Sequence, residues 1–124
     1  MGARVRVDGQ TLAAFWRPKI TARFREEIAA SGDRIVLQLA SEAYAEAVDW
    51  NALDAEVWQV RFLSPSARGL RTVGVVAKRA RGLLARWVCM HAPQRVEDLA
   101  SFRGLGFRLA GIGHGEIRFV QEAA

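Results

Sequence analysis

The sequence predicts an α+β fold: a mixed sheet in which a β-hairpin leads into a basic helix, with helices packed on the sheet. Three observations carry that prediction. Trp16, Ile20, Phe24 and Ile28 recur every fourth residue, which is the spacing of one ridge along an α-helix. The runs Arg34 to Leu39 and Glu56 to Leu63 are short, apolar and rich in β-branched or aromatic residues, which is the composition of strands. The stretch Ser64-Pro65-Ser66-Ala67-Arg68-Gly69 is dense in turn formers and joins Glu56–Leu63 to Leu70–Val76 as a hairpin.

Taken in order, residues 1–10 read as an extended leading segment that turns at Asp8-Gly9. Thr11 is placed to cap a helix through Leu12, Phe15 and Trp16, which Pro18 either kinks or restarts. Gly32 reads as the C-terminal cap of that helical stretch. After the strand at 34–39, Ser41 caps a small-residue helical turn, SEAYAEAV, and Asp49-Trp50-Asn51 is turn-like. The hairpin leads through Val73, Val75 and Val76, taken as the end of a strand, into a helix at about 78–91. A short helix from Val96 to Phe102 follows Pro93, and the tail GFRLAGIGHGEIRFVQ reads as two strands around a glycine-rich turn. No internal repeat or dividing linker appears, so residues 1–124 read as one domain.

The chain is 51% hydrophobic and 25% charged, which are globular values. No apolar stretch approaches a membrane span, and no secretory leader is recognisable, so a cytoplasmic protein without membrane contact is expected. The single cysteine, Cys89, excludes an internal disulfide. His91 and His114 are the only histidines, and the acids are unclustered, so neither a metal site nor a bound cofactor is expected. No paired acid/base arrangement marks a catalytic residue. The formal net charge of +5 favours polyanion contact, though charge alone speaks to steering rather than to a partner.

The most telling segment is VGVVAKRARGLLAR, where Lys78, Arg79, Arg81 and Arg86 fall among nine residues after Ala77. If the helix starts there, Lys78, Arg79 and Arg81 add charge to the positive end of its dipole, and an anion would relieve the repulsion. A solvated basic face is the alternative. On the helical wheel, Ala80, Leu83, Leu84, Trp87 and Met90 form the expected core side. Lys78, Gly82, Ala85 and Cys89 form a stripe of small residues opposite, suited either to close approach by a partner or to packing against another helix. Cys89 reads as a buried structural thiol, with a reactive thiol near arginines as the alternative. Leu99-Ala-Ser-Phe102-Arg-Gly104-Leu105-Gly106 has the spacing of the turn in helix-hairpin-helix motifs, whose backbone N–H groups hold a DNA phosphate. A helix cap followed by a plain turn is the other reading, because Phe107-Arg108-Leu109 looks extended where a second helix should begin.

Four patches in order resemble the C-terminal half of the YaaA family of peroxide stress proteins. They are Phe15-Trp16 with Ile20-Thr21, after Met1-Gly2-x-Arg4; Leu39-Ala40-Ser41-x-x-Tyr44; Ala77-Lys78-Arg79-Ala80-Arg81-Gly82 with Leu83 and Arg86; and Glu97, Leu99, Phe102, Gly106-Phe107 with Phe119. The chain departs from the family at Gln38, Ala43, Arg71, Gly74 and Val76. The resemblance implies an α+β fold with a basic cleft, and a cytoplasmic role in limiting damage by free iron under peroxide stress. It also implies DNA binding, with Lys78, Arg81 and Arg86 lining the basic surface and the Leu99–Gly106 turn as the hairpin; with Arg79 from the basic run, the expectation is double-stranded DNA held at phosphates by Lys78, Arg79, Arg81, Arg86 and the Gly104-Leu105-Gly106 turn. Family members are about twice as long, so a missing N-terminal half or self-association is expected. Two further readings stand beside this one: an enzyme on a small anionic metabolite, with Lys78 and Arg81 as clamps, Ser41, Tyr44 or Glu42 for the chemistry and Arg4, Trp16, Ser41 and Tyr44 at the pocket, and an incomplete half-protein without activity of its own.

Overall fold

A computed structural model describes residues 6–122, and Arg4 therefore lies outside the described residues. The fold divides into two compact units, the first ending at Val57 and the second beginning at Trp58.

The first unit opens with a two-stranded hairpin, β1 (Arg6–Val7) and β2 (Gln10–Thr11), with Arg6 opposite Thr11. Asp8 and Gly9 both take positive φ, 52° and 77°, as a two-residue type I′ turn requires, so the Asp-Gly reading holds. Thr11 then caps α1 (Leu12–Ser31), its hydroxyl accepting the Ala14 N–H at 3.1 Å. Helix α1 runs on through Pro18 and ends at Gly32, whose φ of 74° is the left-handed conformation expected of a C-terminal cap. Thr11→Ala should cost about 1 kcal/mol, read as a lower urea midpoint with an unchanged slope.

The expectation for the Trp16–Ile20–Phe24–Ile28 ridge needs correcting. None of the four is fully buried, and Trp16 is 44% exposed; the buried positions of α1 are Ala13 and Thr21. The inward side is set by polar ties instead. Thr21 Oγ1 accepts the Asp49 N–H at 2.9 Å, and Arg17 Nε donates to the Glu46 carbonyl at 2.7 Å. The rest of the unit is β3 (Ile35–Gln38), the short helix α2 (Glu42–Ala45) and a 3-10 turn at Trp50–Ala52. Ser41 stands at the cap position of α2 but makes no side-chain cap hydrogen bond. The Trp50 indole N–H reaches the Ala45 carbonyl at 3.0 Å, and its ring lies 6.0 Å from that of Phe24.

Strand β4 (Glu56–Ser66) begins in the first unit, where the Glu56 N–H bonds the Arg34 carbonyl at 2.7 Å, and continues into the second. There it runs parallel to β7 (Glu116–Gln121), which pairs antiparallel with β6 (Phe107–Gly113), so the sheet is mixed as expected. The β6–β7 hairpin turns at His114-Gly115, as the glycine-rich tail predicted, and its register shifts between Leu109 and Gly111. Phe62, Phe102, Phe107 and Phe119 make the core, with Phe62 and Phe119 stacked 5.2 Å apart and the others edge-on.

The hairpin before the basic helix is shorter than the sequence suggests. β5 covers only Gly69–Arg71, closing a tight turn with Ser66 opposite Gly69. Val73, Val75 and Val76 are not strand. Val73 caps α3 (Gly74–His91), and its carbonyl accepts the Ala77 N–H at 2.8 Å. The ladder ends at Arg71, so nothing holds the valines extended, while Ala77 gains a fully buried seat by turning helical. Beyond α3, the chain makes a 3-10 helix at Val96–Ser101 rather than an α-helix. Asp98 anchors it, with Oδ2 accepting the N–H groups of Gln94 and Arg95 at 3.0 and 3.1 Å. Those two bonds, Gln94's first, hold the Asp98 carboxyl below the ordinary carboxylate range. A depressed value stabilises the fold above the ordinary carboxylate range, and that stability is lost as pH falls through the depressed value. Acid titration followed by amide exchange at Gln94 and Arg95 should show this opening, and Asp98→Asn should abolish its pH dependence.

Candidate nucleic-acid interface

The earlier start of α3 changes the electrostatics of the basic segment. The first turn, Gly74 to Ala77, carries no charge, and Lys78 enters only in the second turn. Dipole effects fade within one turn, so the predicted repulsion at the helix end does not arise. What the helix presents is a lateral cationic face. Lys78, Arg79 and Arg86 are exposed, whereas Arg81 is half-buried at the margin of the packed side.

The packed side is also rotated from the expected one. Ala77, Ala80 and Leu84 are buried, flanked by half-buried Trp87 and Val88. Trp87 meets Phe102 edge-on at 6.2 Å and stacks on His91, whose Nδ1 lies 3.0 Å from the Trp87 carbonyl. Leu83 and Met90, taken as core, are exposed, Met90 by 68%. The exposed face therefore alternates Arg79, Leu83, Arg86 and Met90 along one line, beside Lys78, Gly82 and Cys89. Cys89 is exposed rather than buried, on the stripe opposite the packed side.

None of the four cations is neutralised within the described residues. Every ion pair there uses another arginine: Arg23, Arg61, Arg95, Arg108 or Arg118. Arg61, for instance, donates through Nε to Glu116 at 2.8 Å, while Glu116 also meets Arg118 at 3.2 Å.

The Gly104-Leu105-Gly106 turn lies against α3. A methyl placed on Gly104 would sit 3.3 Å from Leu83 Cδ1 and 2.6 Å from Phe102 Cζ, so this residue is glycine because the helix and the core ring approach it closely. The segment forms a single 3-10 turn and passes directly into β6 at Phe107, so the second helix of a helix-hairpin-helix is absent. Leu105 and Gly106 both hold positive φ, 55° and 76°. For a leucine this conformation is unfavourable by about 1–2 kcal/mol and needs outside support. That support comes from Gln121, which sequence reasoning did not single out. Its Nε2 donates to the Leu105 carbonyl at 2.9 Å, and its Oε1 accepts from the Ser64 hydroxyl at 3.0 Å. The Glu122 N–H bonds the Gly106 carbonyl at 2.9 Å. Ser64 is buried, so Gln121→Leu strands its hydroxyl and frees the turn at once. A loss of about 1–3 kcal/mol is expected by urea titration, with faster amide exchange confined first to residues 104–106.

The described residues expected at a small-anion pocket lie on α1 and α2. Trp16 lines a shallow hollow on α1, while Ser41 and Tyr44 stand at the start of α2 with Tyr44 exposed. Among the described residues, no three of His, Cys, Asp and Glu are grouped to hold a metal ion, and no helix is long and apolar enough to cross a membrane.

Fold and surface together define an α+β protein that sets a cationic helix face, unpaired among the described residues, beside a supported glycine turn. Residues 1–111 match the family model described as "Peroxide stress protein YaaA", and the chain belongs to that family. The matched stretch takes in α1, α3 and the Gly104–Gly106 turn, and ends within β6. Among curated relatives, a "UPF0246 protein" of Francisella tularensis subsp. novicida is 32% identical over 108 residues, 87% of this chain and 42% of its own length. One from Francisella philomiragia is 32% identical over 102 residues, covering 82% of this chain and 40% of the relative. The chain thus spans less than half the length of the curated relatives it matches.

Proposed function

We propose that this chain serves the peroxide stress response in the cytoplasm by holding double-stranded DNA on the exposed face of α3 and the adjoining glycine turn, and so limits the damage free iron does there. The observation that carries the reading is the unpaired state of Lys78, Arg79 and Arg86 on one exposed helix face. Cations already tied to carboxylates have less to offer a phosphate; these have no such partner among the described residues. Leu83 between the arginines and Met90 beyond them would lie over the sugar edge, and the N–H groups of Gly104 and Leu105 would meet a phosphate. The N–H of Gly106 is already given to the Arg103 carbonyl at 3.2 Å. Contacts of this kind position a duplex without reading its sequence.

The test is fluorescence anisotropy of labelled duplexes of unrelated sequence between about 50 and 200 mM salt. Similar affinities for every duplex, falling steeply with salt, are expected. A second arm exposes plasmid DNA to ferrous iron and peroxide, and less nicking is expected with the protein present than with an equal amount of Lys78→Glu/Arg86→Glu protein. A folded chain that binds no duplex at the lower salt would end this reading.

A further inference from the structure

Helix α1 carries an apolar row that its own unit covers only in part. The inner side carries Ala13 and Thr21, both buried, and the ties to Asp49 and Glu46. Beside it Trp16, Ile20 and Phe24 make successive steps of an i, i+4 row, the ridge that helices use to pack on one another; Phe24 meets Trp50 at one end, and Trp16 is left exposed at the other. With Lys19, Arg23 and Glu27 these residues line an open hollow of about 360 Å³. The charges around it are already engaged within α1. Arg23 pairs with Glu27 at 2.8 Å and with Glu26 at 3.5 Å, and Lys19 Nζ lies 4.0 Å from the Phe15 ring centre and 5.5 Å from that of Trp16. What is left open is the apolar floor, so the chemistry that fits is an apolar helix or sheet face rather than an anion.

We infer that the Trp16–Ile20–Phe24 face is the seat for that part of the family fold which this chain does not span. In the Francisella relatives the matching segment is 42% and 40% of the polypeptide, so more than half of each relative lies outside it and is available to cover this ridge. A second copy is the poorer occupant, since it would bring another chain of formal charge +5 against this one. The inference is independent of the nucleic-acid reading, which concerns α3.

The experiment mixes this chain with the polypeptide made of those residues of the Francisella tularensis subsp. novicida relative that lie outside its matching segment. Light scattering after size exclusion should show a one-to-one complex, and binding of an apolar dye to this chain should fall as the complex forms. Trp16→Asp should raise the Kd about tenfold or more, with thermal melting unchanged because the residue is half-exposed. Lys19→Glu, on the rim, should change it little. Where the added polypeptide does not fold alone, hydroxyl-radical footprinting of the full-length relative decides: the positions aligned with Trp16, Ile20 and Phe24 should be protected. Exposure of those positions in the folded relative overturns the inference. So does an affinity insensitive to Trp16→Asp, or a homodimer of this chain that Trp16→Asp splits.

Discussion

Reversing three charges, Lys78→Glu, Arg79→Glu and Arg86→Glu, should remove most duplex DNA affinity while leaving the fold intact. The side chains are exposed and free of ion pairs among the described residues, so their replacement should move stability by no more than about 0.5 kcal/mol. Each phosphate neutralised contributes a slope of about −0.9 to log affinity against log salt, so four cations give a slope near −3.6 and about a hundredfold weakening from 50 to 200 mM. The triple variant keeps at most Arg81, whose slope of about −0.9 corresponds to only a three- to fourfold weakening over the same range. The variant also places carboxylates against phosphates, so the loss at low salt exceeds simple removal, and affinity is expected to fall by at least about a hundredfold there. Circular dichroism establishes folding, and anisotropy reads affinity. A triple variant that binds as the parent does would move the polyanion surface off α3 altogether. A small loss of affinity in Arg81→Ala alone, against the large loss in the triple variant, would fit its position at the packed margin rather than on the open face.

Local chemistry made some of this molecule legible before any coordinates. Thr11 and Gly32 mark the ends of α1 because capping and left-handed φ are decided by single residues. The Asp8-Gly9 and His114-Gly115 turns are legible for the same reason, since each needs positive φ at both positions. The misreadings share a different cause. Val73, Val75 and Val76 have strand propensity, but the partner strand ends at the register of Arg71, and helical burial of Ala77 outweighs propensity. The wheel of α3 groups Leu83, Leu84, Trp87 and Met90 on one side, which assumes that size decides burial. Close packing at Ala77 and Ala80 turns that side away and leaves Leu83 and Met90 outside. The same limit applies to α1, where an apolar ridge reads as core unless one knows what lies over it.

The candidate site divides along similar lines. The cations and the glycine spacing are visible in sequence because they are contiguous. The support of the turn is not, because Ser64 and Gln121 lie 57 residues apart and Gln121 and Leu105 lie 16 apart. An ordinary glutamine near a chain end carries no local signal of such a role. Only the parallel pairing of β4 with β7 brings Ser64 beside Gln121 and fixes the carbonyl of Leu105 between them and α3.

Phe119→Ala should be the most damaging single change in the second unit, costing about 3–5 kcal/mol. Phe119 is fully buried at the middle of β7, stacked on Phe62 and edge-on to Phe102 at 5.6 Å. Removing the ring takes away its transfer energy and leaves a cavity bounded by side chains from β4, β7 and the segment before the glycine turn. The two facing rings, Phe62 and Phe102, lie on separate elements and cannot collapse into that space without leaving their own seats, so little of the cost is recovered by relaxation. For a domain whose whole stability is about 5–15 kcal/mol, this is a large share. Phe102 leads directly into the turn and Phe107 leads out of it, so loosening this core releases Gly104–Gly106 as well. DNA affinity should therefore fall in Phe119→Ala even where the chain remains folded, whereas Ile112→Ala, on the exposed end of the same hairpin, should leave both stability and affinity nearly unchanged. Urea titration followed by tryptophan fluorescence, together with anisotropy at fixed salt, separates the two variants. A loss below about 1 kcal/mol in Phe119→Ala would mean that the aromatic cluster does not hold the second unit together.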